Sequence, residues 1–447
     1  MSRLVGRWGG GVAVLAATAA VAIASCTPTA APPAPTPIPA PPAPMPPAPS
    51  AAPPPQASAE PTIRLGLAVG AANVTVAGTA GVRIHDASGA RLADIPPGES
   101  WKLIIEGPGL AAVGPSGIGT ASNELLELDA PDADATIHVN GRPYRGTITA
   151  FRDRVGITIV DRLPMESYLV GVVSAEMGRR SLAEQEALRA QAVVSRTFAL
   201  RNLRRWQAQG FDLYATVADQ VYGGAGSETP EGRQAVEATR GRILTYGGAP
   251  IDAFFYSTCG GRTADGPEVF RAATRPYLRS IADEAPDGVA YCSISPRFRW
   301  HEEWTGEALR ATLARTLPAL PAGAAGGGQG AGSDVSEIRD VRVTSRTASG
   351  RVGQLTIGLP RGEVRVEGPN VRQVLRPVSG ELLRSTVFTL TASGAGRQVT
   401  RLAVDGAGAG HGVGFCQWGA VGRSRAGQDH ERILAAYYPG AVLERLY

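Results

Sequence analysis

Leu163-Pro164-Met165-Glu166-Ser167-Tyr168-Leu169-Val170-Gly171-Val172-Val173-Ser174-Ala175-Glu176-Met177 is the stretch on which the reading of the fold turns. Pro164 suits a first helical turn, where its missing N–H would have had no intrahelical partner. Met165, Tyr168, Leu169 and Val172 then recur at i, i+3, i+4 and i+7, the spacing of one helix face. A second helix follows. Ser181-Leu182-Ala183-Glu184 has the form of a capping box, in which hydroxyl and carboxylate satisfy each other's backbone N–H groups. Ala187, Ala190, Val194 and Phe198 make its apolar stripe, and the small residues in that stripe imply close packing.

Upstream the period changes to two. Ile63 to Leu67, Val74 to Val76, Val82 to Ile84, Leu103 to Ile105 and Thr136 to Val139 read as short strands separated by Gly and Asp-Ala-Ser-Gly turns. Asn140-Gly141 is a hairpin signal, with strands expected at Tyr144 to Phe151 and Val155 to Val160. Downstream, Pro230 to Thr239 reads as a helix, and Ile243 to Thr245 and Ile251 to Tyr256 as strands. Further strands are expected at 338–343, 354–357, 364–366, 387–390 and 400–404, before a short helix at Glu431 to Tyr438. Hairpin-length links dominate. The fold class is therefore α+β, mostly antiparallel sheets with a helical segment carrying the polar motif.

The 447 residues divide by composition. Arg3 and Arg7 precede an uncharged run, Gly11 to Ser25, too short to cross ~30 Å of hydrocarbon and suited to a cleaved signal peptide, residues 1–25. Ile23-Ala24-Ser25-Cys26 has the form of a lipoprotein processing box, making Cys26 the expected lipidated N-terminus. Residues 26–61 are a Pro/Ala-rich tether, able to reach on the order of 100 Å when extended. Two regions are expected beyond it: a β-rich one at 62–145 and a core at 146–447, with a disordered Gly/Ala loop near 320–333. These features place the chain outside the cytoplasm, lipid-anchored in the envelope, with Thr27 favouring the outer membrane where there are two.

Net charge is +4 and Lys102 is the only lysine, so there is no Gly-Lys-Ser/Thr phosphate loop and no nucleic-acid partner is inferred. His301-Glu302 lacks the second His of a zincin helix, and no Gly-x-Ser-x-Gly elbow is present. No cofactor is expected. Apart from Cys26 there remain Cys259, Cys292 and Cys416. In an oxidising compartment Cys259 and Cys292 are the expected disulfide, about 3–4 kcal/mol in the chain-entropy model. A structural metal held by the three cysteines together with His411 is the alternative, although the spacings match no compact zinc motif.

The first helical block, with Glu186 to Leu200, resembles the family of stage II sporulation protein D and the amidase-enhancer protein LytB. The resemblance continues through Asp219-Gln220-Val221-Tyr222-Gly223-Gly224, Ala238-Thr239-Arg240-Gly241 and Asp252 to Thr263 with its Ser257-Thr258-Cys259-Gly260-Gly261 turn. Pro276 to Ser280, Leu383 to Thr386 and Gly410-His411-Gly412-Val413-Gly414-Phe415-Cys416-Gln417-Trp418-Gly419-Ala420 complete it, collinear from about residue 62 to the end. The resemblance implies a lytic transglycosylase acting on peptidoglycan strands stripped of stem peptides, with Glu176 of Ala-Glu-Met as catalytic acid. Where the family commonly has Pro after that Met, this chain has Gly178.

One carboxyl suffices for such a reaction, because the muramic acid C6 hydroxyl replaces the water that a hydrolase must activate. Well-placed intramolecular attack reaches effective molarities of about 10⁵ M or more. Glu176 must then start protonated, in a partly desolvated site. Glu166, on the first turn, is expected instead to compensate the helix dipole. Gln191, Arg196, Gln220, Tyr222, Ser257, Thr258, His411 and Gln417 are the candidate substrate-binding residues, with Trp418 beside them. For Gln191 and Arg196 a purely structural role stays open. The partners implied are glycan strands, the membrane through the lipid and, on a rival reading, a cell-wall amidase that a non-catalytic glycan-binding lipoprotein would enhance.

Overall fold

The computed structural model of the protein describes residues 59–321, 325–326, 332, 334–396 and 398–447. The expected signal peptide, Cys26, nearly all of the tether and most of the Gly/Ala run lie outside the described residues. Ala325–Gly326, within that run, pairs antiparallel with the strand Gly362–Glu367.

Alternation builds the first two sheets. Ile63, Leu65, Val74, Val76, Val82 and Ile84 are all buried, while Arg64, Thr75 and Arg83 between them are more open. Each such burial contributes about 1.5–3 kcal/mol. One sheet runs in the order Leu213–Tyr214, Thr62–Ala71, Ile157–Pro164, Thr147–Arg152, Leu125–Asp129, Val82–His85, Arg91–Ile95. A six-stranded sheet joins Arg142–Tyr144, Ile137–Val139, Asn73–Gly78, Ser100–Glu106, Gly109–Gly114 and Gly117–Ser122. The Asn140-Gly141 hairpin is present, with φ of 50° and 78° as a type I′ turn demands. The first sheet crosses the boundary expected at residue 145, since Thr62–Ala71 pairs along Ile157–Pro164.

The helices among the described residues are α1 (Met165–Met177), α2 (Gln185–Arg201), α3 (Pro230–Ala238), α4 (Gly266–Val269), α5 (Gly306–Thr316), α6 (Val371–Val374), α7 (Gln417–Arg425) and α8 (His430–Tyr437). None of them is long and apolar enough to cross a membrane. Pro164 stands one position earlier than the first turn, ending its strand and preceding α1. The spacing Met165, Tyr168, Leu169, Val172 is buried as expected, but so are Val170 and Val173. The helix is wrapped on nearly all sides. The capping box closes as read: the Ser181 N–H donates to Glu184 Oε2 at 2.9 Å, in a short turn leading into α2.

Two hydrophobic cores result. The first runs from Ile63 to Cys292 and resumes from Val413 to Tyr438; the second contains Trp300, Trp304, Leu309, Leu355, Val366 and Val404. Of the strand expected over Ile251 to Tyr256, only Phe255–Tyr256 is paired, and it runs parallel to Phe415–Cys416. Its partner lies 160 residues away, beyond any local pattern. Most other pairings are antiparallel, as expected for an α+β fold.

Candidate functional site

Glu176 occupies the last turn of α1, which carries no basic residue. Carbonyls point toward that end of a helix, so a carboxylate there is disfavoured. Gly178 stops the helix with φ of +67°, a conformation closed to proline. The chain therefore leaves α1 along a path that the family's usual Pro would not permit. Glu176 Oε1 accepts the Val221 N–H at 3.1 Å, and Oε2 accepts the Gln417 amide at 3.2 Å. Burial pushes the Glu176 carboxyl above its ordinary value, only partly offset by these two donors.

Each donor is held from behind. Gln417 opens α7, and its Nε2 also lies 3.5 Å from Gln191 Oε1 on α2. Gln191 Nε2 in turn donates to Ser195 Oγ at 2.9 Å, one helical turn on. This relay fixes which end of the Gln417 amide faces the carboxyl. Val221 sits between two buried side chains that tie its strap down. Gln220 Nε2 reaches Tyr168 Oη and the Ser195 carbonyl, both at 3.2 Å. Tyr222 packs between Tyr144 and Tyr168, with centroids 6.0 and 5.5 Å away, and closes over Gly171.

Several residues expected to touch substrate are thus corrected to roles beneath the surface. Gln191, Gln220, Tyr222 and Thr258 are buried; the Thr258 hydroxyl lies 2.8 Å from Ser295 Oγ. Arg196 is fully buried, and its guanidinium grips Glu166 at 2.9 and 2.6 Å. It donates to the Arg242 carbonyl as well. Glu166 is consequently more than a dipole partner: it also accepts the Gly241 N–H at 3.2 Å and the Tyr447 hydroxyl at 2.6 Å. Burial pushes Glu166 upward, but Arg196 with the Tyr447 and Gly241 donors outweighs it and holds the carboxyl below its usual range.

Ser257 is half-buried, its carbonyl accepting the Trp418 N–H at 3.0 Å. His411 belongs to another cluster. Its Nε2 faces the Phe255 carbonyl at 2.8 Å, Nδ1 accepts the Val413 N–H, and its ring sits among Phe254, Tyr256 and Phe270. Desolvation pulls its pKa down to about 4, so it stays neutral. Two contributors escaped the sequence reading. The Val221 N–H is one, since a backbone donor leaves no trace in side-chain patterns. The other is Arg180, whose guanidinium lies 4.6 Å over the ring of Trp418, the residue that follows Gln417 in the chain. A cavity of about 640 Å³ at the opposite end of α1, lined by Arg145, Pro164 and Ser167, excludes Glu176.

Cys259 and Cys292, the expected disulfide pair, are free buried thiols with sulfurs 3.3 Å apart. Cys416 and Asp283 join them.

An α+β framework with one partly desolvated carboxyl, braced where α1, α2 and α7 meet, is the class this chain presents. Residues 153–246, which hold Glu176, Gln191 and Val221, match the family model described as stage II sporulation protein. That segment is similar to the stage II sporulation protein D and amidase-enhancer family. Residues 290–414, nearly coextensive with the second core, match a domain of unknown function. An uncharacterized protein of Brachyspira hyodysenteriae is 29% identical over 303 residues, covering 68% of this chain and 72% of that one. Stage II sporulation protein D of Bacillus subtilis is 27% identical, covering 64% and 75%. The Bacillus subtilis amidase enhancer is 26% identical, covering 62% of this chain and 40% of its own length.

Proposed function

We propose that this chain acts on the cell wall as a lytic transglycosylase of peptidoglycan glycan strands, exported and held at the membrane by a lipid on Cys26. The observation that carries the proposal is the state of Glu176: a half-buried carboxyl, raised by desolvation, with both oxygens oriented by donors. Protonated, it delivers its proton to the departing glycosidic oxygen. The muramic acid C6 hydroxyl then closes on C1, and Glu176 takes up the hydroxyl proton, leaving a 1,6-anhydro end. Positioned acid–base help of this kind is worth about 10²–10⁴-fold.

The relative named amidase enhancer supports a second reading, a glycan-binding adaptor for a wall amidase, and Gly178 beside Glu176 is the feature of this chain that favours it. Incubation with denuded glycan strands separates the two. Anhydro ends seen by mass spectrometry, and lost about 10²-fold or more in Glu176→Gln, are expected of the enzyme. Because the acid must begin protonated, the rate should fall as pH rises through a carboxyl pKa lying above the ordinary range. Glycan binding with no new ends from either protein would leave the adaptor.

A further inference from the structure

Cys259, Cys292 and Cys416 meet Asp283 at one point, although the four are brought there from widely separated segments. We infer that they form a tetrahedral site for a thiophilic divalent cation, Zn²⁺, which clamps the Gly260-Gly261 turn, the Tyr291–Ile294 turn and the start of α7 together. Their ligand atoms lie within 4.8 Å of one another, and Cys259 Sγ stands 3.3 Å from both Cys292 Sγ and Asp283 Oδ2. Zinc with sulfur at about 2.3 Å needs sulfurs separated by roughly 3.8 Å, so only small adjustments are required. Three thiolates and a carboxylate select zinc over hard cations such as Mg²⁺ or Ca²⁺.

The surroundings are those of ligands rather than of inert thiols. All four side chains are buried. Backbone N–H groups point at the sulfurs: Cys259 and Gly419 donate to Cys416 Sγ, each at 3.2 Å, and Gly261 donates to Cys259 Sγ at 3.4 Å. Such donors favour thiolate. Asp283 is fixed from outside, with Arg423 Nε at 2.9 Å from Oδ1 and the Tyr437 hydroxyl at 2.8 Å from Oδ2. Outer hydrogen bonds of this sort orient a ligating carboxylate. Binding would release the thiol protons, and the cation with Arg423 would offset three of the four negative charges. A Cys259–Cys292 disulfide, by contrast, would leave Cys416 and its two N–H donors, and Asp283 with its partners, converging on nothing.

The site is independent of the glycan chemistry, yet the two are adjacent in the chain, since Cys416 immediately precedes Gln417. The chain from Gln56, which forms one compact unit, can be secreted into an oxidising compartment with zinc supplied, then purified without chelator. Elemental analysis should find about one zinc per chain, released when a mercurial titrates three thiols. Replacement by Co²⁺ should give sulfur-to-cobalt charge-transfer bands. Cys416→Ser and Cys292→Ser should lower zinc content at least tenfold, and Glu176→Gln should leave it unchanged. A metal-free chain two hydrogens lighter with a Cys259–Cys292 cross-linked peptide would overturn the assignment. So would a folded chain with three alkylatable thiols and no cobalt spectrum, and the wild-type measurements decide even if the serine variants fail to fold.

Discussion

Replacing Arg196 by methionine tests the corrected role of that residue. In the folded chain the guanidinium is fully enclosed and holds both oxygens of Glu166, which is itself only 7% exposed. Methionine fills similar volume but leaves a buried carboxylate without its cation, a loss of about 3–5 kcal/mol. The Gly241 N–H and the Tyr447 hydroxyl remain, so the expected value is the lower end, ~3 kcal/mol. The pH dependence adds a second signature. In the parent chain the Glu166 pKa is depressed, so its contribution is present above the unfolded carboxyl value and fades as pH falls through the folded one. In Arg196→Met, only the Tyr447 and Gly241 donors oppose desolvation, and the folded pKa rises above the unfolded one. The deficit should then be greatest near neutrality and shrink in acid. Adding Glu166→Gln should recover part of it, because no uncompensated charge is left. Urea unfolding of the Gln56 unit, followed from about pH 4 to 8, measures the parent and both variants. A deficit under about 0.5 kcal/mol with no pH dependence would refute the buried-pair account. Loss of glycan binding at undiminished stability would return Arg196 to the substrate surface.

Gln417→Ala removes one donor from Glu176, so the descending limb of the pH–rate profile should move to higher pH while kcat falls about tenfold; an unmoved limb would disconnect Gln417 from the acid. Tyr447→Phe deletes only the hydroxyl that reaches Glu166, and chemical denaturation should show a loss of about 1 kcal/mol with glycan turnover unchanged.

What could be read in advance followed locality. The hairpin at Asn140-Gly141, the capping box at Ser181–Glu184 and the alternating strands depend on neighbours a few residues apart, and all are found. Glu176 itself was legible through its motif, and its partner Gln417 through another. The sequence could not tell a polar group that faces a groove from one that braces it. Gln191, Gln220 and Arg196 all interrupt apolar runs, and each proves to be satisfied inside. Pairings across long chain separations were equally hidden. Asp283 carries no recognisable motif, and only the folded chain shows it beside Cys259 and beneath Tyr437.

The parallel contact of Phe255–Tyr256 with Phe415–Cys416, reinforced by the bridge between Thr258 and Ala409, has an architectural corollary. Everything that builds the second core departs and returns through neighbouring backbone, as Arg299 opposite Ala407 shows. It is a guest loop grown large, hung from a host whose two halves already touch at its roots. Lineages can therefore enlarge, exchange or trim that guest without re-threading the host. Its outer face is free to diversify while the carboxyl-bearing helix pair stays as it is.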